Sequence, residues 1–248
     1  MVSEVAFYLL STLLLTLWVF SKENHLLRRL GLTLMGLGFI SFLLKLVLWG
    51  ENHRWSVFEL LANTTVGIFY FLLVKFRKWQ VVRFSPVVSL VALFFSVLGF
   101  VGGKFGGGSY SVLLHVGISV FTFTLLMLSA IFSLFRVVAQ NRLKRKELTL
   151  PLGIPVNLWI KLERGFFFFG FIFLTLDLIL NFLWLEVKLK TAVWDSRIVA
   201  TILLWVYYWI LFHADRWGIN PIRERFYLFN ILGSLMLILS LMVTRHKF

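Results

Sequence analysis

Apolar runs of about 18 to 22 residues recur along the whole chain, and they restrict its fold more than any other feature of the sequence. A helix of about 20 apolar residues crosses the hydrocarbon core of a bilayer. The runs are continuous and do not alternate with polar residues, which predicts helices and argues against a barrel. Because 60% of the residues are hydrophobic and only 15% are charged, we interpret the chain as an all-α, polytopic membrane protein.

Charged residues and Gly or Pro breaks divide the apolar runs into about eight predicted spans. The first run is followed by SKENHLLRR, without a small-residue cleavage site, so we expect it to be retained as a span. No sizeable soluble domain is left over, which predicts one transmembrane domain over residues 1–248. The predicted spans are roughly 4–20, 30–49, 57–74, 84–101, 112–136, 165–184, 197–213 and 226–244.

Lysine and arginine predict the orientation of these spans. One set of loops holds 17 of the 25 basic residues, and the positive-inside rule assigns that set to the cytoplasm. Both termini are then expected on the external side. The 17 residues are Lys22, Arg28, Arg29, Lys75, Arg77, Lys78, Arg83, Arg136, Arg142, Lys144, Arg145, Lys146, Lys161, Arg164, Arg216, Arg223 and Arg225.

The net charge of +14 raises the question of nucleic acid as a partner. The basic residues are spread over short loops beside the spans and belong to no soluble fold, so we expect no nucleic acid to bind. Membrane lipid, with anionic headgroups, is the predicted partner of these loops.

A charged residue within a predicted span costs at least about 2.5 kcal/mol to insert, and three residues are the clear cases. Lys45, Glu59 and Asp177 all fall in the predicted outer leaflet, and His115 lies at a similar depth. Together they suggest an external polar layer lining a cavity. Alternatively, Lys45 and Glu59 extend to the interface as isolated side chains. Asp177 lies deeper, with Asn181 at i+4 on the same face, which favours an interior role.

Histidine and aromatic residues supply the other candidates for a site. His25 and His53 lie in predicted loops and are interpreted as solvated. His115 and His213 lie at span ends beside aromatic residues, and His246 follows the last span. A neutral imidazole is a good axial ligand for haem iron.

Aromatic side chains recur at helical spacing in the seventh span. This face suits either a flat macrocycle or ordinary helix packing, and the pattern leaves both open. The FFFF stretch at 166–169 is interpreted as lipid-facing. The residues of the aromatic face are Trp205, Tyr208, Trp209 and Phe212.

Four stretches resemble the cytochrome c assembly family, which includes the membrane proteins CcsA and HemX. They are WSVFELLANT, LLHVGISVFTF, GFIFLTLDLILNFLW and VWDSRIVATILLWVYYWILFHADRWG, and they are similar to family motifs in the same order and spacing. The resemblance covers nearly the whole chain. It implies residence in the inner (plasma) membrane of a bacterium and a role in cytochrome c-type biogenesis.

The resemblance also implies haem as the cofactor. His115 and His246 match the family's two external histidines, which would bind haem iron, and His213 matches its later membrane histidine. Trp184, Trp194 and Asp195 match what remains of the family's tryptophan-rich external motif. Trp194 would then lie as a lid over a pocket built by His115 and His246. Alternatively, Trp194 only anchors the helix at the interface, and Asp195 caps the seventh span.

The chain departs from the family pattern at several of these positions. Phe42 lies near the place of the family's first membrane histidine, with Lys45 a turn later. LEVKLKTAV replaces paired tryptophans and a glycine, Ser196-Arg197 replaces Pro-Lys, and Asp177 replaces a small residue. These departures favour the HemX branch or another divergent member.

Three functions follow as hypotheses. The first is a haem chaperone or synthase subunit that helps deliver haem to an external apocytochrome c, with a second assembly subunit carrying a large external domain. Because the chain has no cysteine, the thiols would belong to the apocytochrome. The second is a HemX-type regulator that scaffolds a soluble tetrapyrrole-pathway enzyme through residues 140–165. The third is a transporter using Lys45, Glu59 and Asp177, which the lack of an internal repeat disfavours.

Overall fold

The computed structural model describes residues 2–21, 24–49, 53–76, 79–101, 104–105, 110–147, 151–189 and 196–243. In these ranges the chain forms α-helices, one short 3₁₀ turn at Pro151–Gly153 and one pair of two-residue strands. The α-helices are α1 Val2–Phe20, α2 His25–Trp49, α3 Val57–Phe76, α4 Trp79–Val82, α5 Ser85–Val101, α6 Tyr110–Lys144, α7 Val156–Leu189, α8 Ser196–Arg216, α9 Asn220–Glu224 and α10 Phe226–Val243.

The all-α membrane-protein class is confirmed for the part of the chain that the structure describes. Each predicted span overlaps a helix, and five stretches are long and apolar enough to cross a membrane: Val2–Phe20, His25–Trp49, Val57–Lys75, His115–Lys144 and Val156–Leu183. Ser85–Phe100 and Phe226–Leu239 are shorter apolar helices. The number of spans, the external termini and the single transmembrane domain stay predictions.

Two helices, α6 and α7, extend furthest beyond their predicted spans. α6 continues past residue 136 to Lys144, and α7 begins at Val156 instead of near residue 165. Arginine, lysine and leucine are good helix formers, so the basic segments that end the apolar runs do not end the helices. The predicted connection at 140–165 is therefore largely helical where it is described.

The chain divides into two compact units, residues 1–114 and His115–Lys247. In the first unit α1 packs against α2 and α5, and α3 packs against α5. Small residues allow these helices to approach closely. Ser11 Oγ donates a hydrogen bond to the Gly31 carbonyl oxygen at 2.9 Å, and a Cβ at Gly38 would lie 2.8 Å from the Tyr8 ring.

Two-residue strands join the connections of this first unit. β1 (Trp55–Ser56) pairs antiparallel with β2 (Lys104–Phe105), with Trp55 opposite Phe105. The pairing ties the connection before α3 to the connection after α5. Two residues are too few to show the alternation of apolar and polar side chains that predicts a strand. The sequence pattern therefore does not predict this element.

In the second unit α8 packs against α7 and α10. Phe166 and Phe167 are buried, whereas Phe168 and Phe169 are exposed, so the lipid-facing interpretation of FFFF is wrong for its first half. Successive helical residues point about 100° apart, and four in a row cannot share one face. The core of the unit consists of Leu126, Phe167, Phe171, Leu174, Leu204, Tyr208, Leu211, Phe226 and Leu237.

The second unit offers a matched test of close helix packing. A Cβ at Gly170 would lie 2.7 Å from Leu126 Cδ2, whereas a Cβ at Gly165 on the same helix meets no atom within 4 Å. We expect Gly170→Ala to lower the free energy of unfolding by about 1–3 kcal/mol through overpacking. Gly165→Ala should leave the unfolding temperature in detergent unchanged or raise it. Equal unfolding temperatures for the two variants would contradict this packing.

Candidate functional site

Lys45 is held between two buried carboxylates in the first unit. Its Nζ lies 2.7 Å from Glu4 Oε1 and 3.3 Å from Glu59 Oε1, and the two glutamate side chains are each 2% exposed. Removing one partner of a buried ion pair leaves an uncompensated charge, which is strongly destabilising. Lys45 and Glu59 therefore pair with each other inside the protein. They are not isolated side chains that extend to the interface.

A second layer of polar groups supports this ionic cluster. Tyr8 donates its hydroxyl to Asn63 Oδ1 at 2.6 Å, and Asn63 Nδ2 donates to the Glu59 carbonyl oxygen at 2.8 Å. Sequence reasoning missed Glu4, Tyr8 and Asn63. Glu4 lies in the first turn of α1, where an acidic residue is ordinarily explained as a favourable charge at the helix end. Its partner Lys45 lies 41 residues further along the chain.

His53 packs against aromatic rings, although a solvated loop residue was predicted. Its ring centroid lies 4.6 Å from that of Trp55, and Trp55 in turn contacts Phe42 edge-on at 5.6 Å. Burial lowers the pKa of His53, and the nearby Glu59 carboxylate opposes that effect. Because a lowered pKa favours the neutral form, His53 is an uncharged imidazole near neutral pH.

Asp177 lies in α7 within the second unit and is almost fully buried. Ser119 donates its hydroxyl to Asp177 Oδ1 at 2.6 Å. His115 lies one helical turn before Ser119, and its backbone carbonyl oxygen lies 3.2 Å from the Ser119 hydroxyl. Asn181, expected to share a face with Asp177, donates its Nδ2 hydrogen to the Asp177 backbone carbonyl oxygen at 2.9 Å. The structure thus brings together His115, Ser119 and Asp177 in one unit, and Lys45 and Glu59 in the other.

His213 lies near the end of α8 among three aromatic rings. The ring centroids of Trp209, Phe212 and Trp217 are 4.3, 5.2 and 5.1 Å from the imidazole centroid. His213 Nδ1 lies 2.9 Å from the Trp209 carbonyl oxygen. A carbonyl oxygen can only accept, so Nδ1 carries the proton and the Nε2 lone pair is available to a metal.

The aromatic face predicted on the seventh span divides between two roles. Tyr208 is fully buried in the core, Phe212 stacks on Phe171 at 5.1 Å, and Trp205 donates its Nε1 hydrogen to Thr175 Oγ1 at 2.9 Å. These three residues pack within the unit. Trp209 remains partly exposed beside His213.

A further buried network links α6, α7 and α10. Arg136 Nη1 donates to Glu163 Oε2 at 2.7 Å, and Ser133 donates to Glu163 Oε1 at 2.6 Å. Asn230 Nδ2 donates to Ser129 Oγ at 2.7 Å and to Ser133 Oγ at 2.9 Å. Sequence analysis assigned Arg136 to a cytoplasmic loop, but it is a buried helical residue. The buried Arg136 guanidinium is stabilised because the Glu163 carboxylate is buried beside it and carries the opposite charge.

Several predicted site residues lie outside the described part of the chain. Trp194, Asp195 and His246 fall there, so their proximity to His115 stays a prediction. The backbone of Trp184 is helical in α7, and its side chain is likewise outside the description. Within the described residues, no group of three or more His, Cys, Asp or Glu side chains is arranged to hold a metal ion.

Comparison with known proteins identifies one family. The family described as Cytochrome C assembly protein matches residues 3–247, nearly the entire chain. No individually curated protein and no solved structure shows significant similarity to it.

The ionic cluster predicts a large cost for removing its cation. Lys45→Met would leave Glu4 and Glu59 buried without their shared partner, and we expect the free energy of unfolding to fall by about 3–5 kcal/mol. Lys161→Met, at an exposed lysine, is the control and should change stability little. Adding Glu4→Gln and Glu59→Gln to Lys45→Met should recover part of the loss. Thermal unfolding in detergent measures all three, and a Lys45→Met protein as stable as the control would contradict the interpretation.

Proposed function

The chain belongs to the cytochrome c assembly protein family, and from this premise we propose that it binds haem in the membrane and helps deliver it to an external apocytochrome c. It would act as a haem chaperone or as one subunit of a synthase. The chain has no cysteine, so the thiols that bind haem covalently would come from the apocytochrome. A second assembly subunit with a large external domain would present that substrate.

The observation that carries the proposal is the environment of His213. Its Nδ1–H is engaged by the Trp209 carbonyl, which orients the ring and leaves Nε2 as the donor atom. Trp209, Phe212 and Trp217 lie beside the imidazole in tilted and edge-on arrangements. An oriented imidazole beside aromatic rings, with Nε2 as the atom left to bind, fits the requirements of a ligand to haem iron.

Bound haem would supply an iron centre that binds imidazole nitrogen. In this chain His213 would hold it at the membrane site, with the rings of Trp209 and Phe212 beside the imidazole. Phe42 supplies no ligand atom at the place of the family's first membrane histidine; it is buried and contacts Phe39 and Trp55. The donor set therefore fits a membrane site with one histidine from this region instead of two.

The proposed external site uses His115 and His246 as ligands, with Trp184, Trp194 and Asp195 as its aromatic and acidic border. Support comes from the position of His115 one helical turn before Ser119, whose hydroxyl lies 3.2 Å from the His115 carbonyl oxygen. Ser119 would position the carboxylate through its 2.6 Å hydrogen bond to Asp177 Oδ1.

An absorption spectrum of the purified protein, before and after reduction, tests the proposal. We expect a haem band in the wild type and a clear loss or shift of that band in His213→Ala. His25→Ala, which changes an exposed histidine at the start of α2, is the matched control and should keep the wild-type spectrum. The His115→Ala/His246→Ala double variant tests the external site separately. A wild type that binds no haem even when haem is supplied would overturn the proposal.

A second candidate is a HemX-type regulator that binds a soluble tetrapyrrole-pathway enzyme. Lys144, Arg145 and Lys146 are exposed at the end of α6 and form a basic surface. Within the rest of the connection Ile154 and Trp159 are fully buried, and Trp159 stacks on Phe135 at 4.8 Å, whereas Lys161 is exposed. Most exposed cations of the described connection therefore lie at and just after the end of α6.

Changing Lys144, Arg145 and Lys146 to glutamine separates the two candidates. A regulator would lose co-purification with the tetrapyrrole-pathway enzyme while its haem spectrum stays unchanged. A haem-delivery factor would keep both its spectrum and its support of cytochrome c maturation in cells. Loss of the enzyme together with normal maturation would favour regulation.

A further inference from the structure

We propose that residues 216–225 form a binding surface for the headgroups of anionic lipids. This surface, the α8–α9 basic surface, consists of the end of α8, the turn after it and the short helix α9. Arg216, Arg223 and Arg225 are all exposed on it. Trp217, between α8 and α9, is 69% exposed. The inference does not depend on haem binding.

The turn that carries these side chains has a defined conformation. Gly218 adopts a φ of 73°, and the backbone amide of Ile219 donates to the Ala214 carbonyl oxygen at 3.0 Å. This combination is the Schellman motif, which ends a helix with a left-handed residue. Ile222 packs against the core of the second unit and anchors α9. The arginines therefore project from a built turn.

Nearby acidic groups do not cancel the positive charge of this surface. Asp215, the residue before Arg216, is occupied by Arg164, whose Nη2 lies 2.9 Å from Asp215 Oδ1. Glu224 is the one acidic residue in the segment, against three arginines. The surface thus has a net positive charge. None of the ion pairs described in this unit involves Arg216, Arg223 or Arg225.

The chemistry of the neighbouring surface favours lipid over a soluble acidic partner. Leu203 and Ile210 of α8 are more than half exposed, so an apolar helix surface leads to the charged turn. Trp217 and Ile219 are exposed at that turn beside Arg216. Apolar side chains next to tryptophan and arginine at a helix end match the layers of acyl chain, interface and headgroup. Arginine also suits phosphate, because its guanidinium donates two parallel hydrogen bonds.

Lipid selectivity measured on the full-length protein tests the proposal. Spin-labelled phosphatidylglycerol and phosphatidylcholine would be compared in nanodiscs, with the motionally restricted fraction of each lipid as the readout. We expect the wild type to prefer phosphatidylglycerol. Because each basic residue at the surface contributes about fivefold in binding and the three contributions multiply, Arg216→Gln/Arg223→Gln/Arg225→Gln should reduce that preference by roughly a hundredfold.

Lys144→Gln/Arg145→Gln/Lys146→Gln is the matched control, since it removes the same charge from another exposed segment of the unit. It should keep most of the phosphatidylglycerol preference. The triple arginine-to-lysine variant of the α8–α9 basic surface keeps the charge and should retain binding, which separates charge loss from misfolding. Equal losses in the glutamine variant and the control would overturn the proposal, because diffuse charge would then explain the preference. Displacement of the lipid by a soluble acidic polypeptide would also overturn it and assign the surface to a protein partner.

Discussion

The hydrocarbon of a bilayer offers no hydrogen-bond partners, so every polar group that enters it must be satisfied by the protein itself. Both units meet this constraint with charged clusters that connect several helices. In the first unit Lys45 joins Glu4 of α1 to Glu59 of α3. In the second, Glu163 accepts hydrogen bonds from Arg136 and Ser133 of α6. Helices whose outward surfaces are apolar are thus held in register by a few internal polar contacts.

The same constraint separates structural polar groups from functional ones. Glu4 and Glu59 share the single cation Lys45, and the main consequence of this cluster is the association of α1, α2 and α3. His213 differs, because only its Nδ1 is occupied by the helix and its Nε2 remains a donor atom among aromatic rings. Family membership is the reason why haem is the partner that we propose for this imidazole. Phe42 distinguishes this chain from the family pattern and leaves His213 as the membrane histidine of the proposed site.

Several positions show where sequence patterns reach their limit. Apolar run length predicts helices well, because it reflects a solvent requirement that each helix meets alone. Burial is harder to predict from the sequence. Arg136 lies where a loop cation is expected, yet it is buried because Glu163, on a different helix, neutralises its charge. His53 reads as a solvated histidine, yet Trp55 packs against it. Trp194, Asp195 and His246 remain candidates on family resemblance, since they lie outside the described residues.

The sequence by itself determined that this protein is helical and membrane-embedded, because continuous apolar runs can satisfy their backbone amides in lipid only as helices. It also determined the family, because four stretches similar to the family's motifs occur in the same order along the chain. Only the tertiary structure decided which polar side chains meet. Lys45 finds Glu4, and Ser119 finds Asp177, through helix packing that joins residues 41 and 58 positions apart. Such contacts depend on how helix faces pair, and no local pattern of residues encodes that pairing.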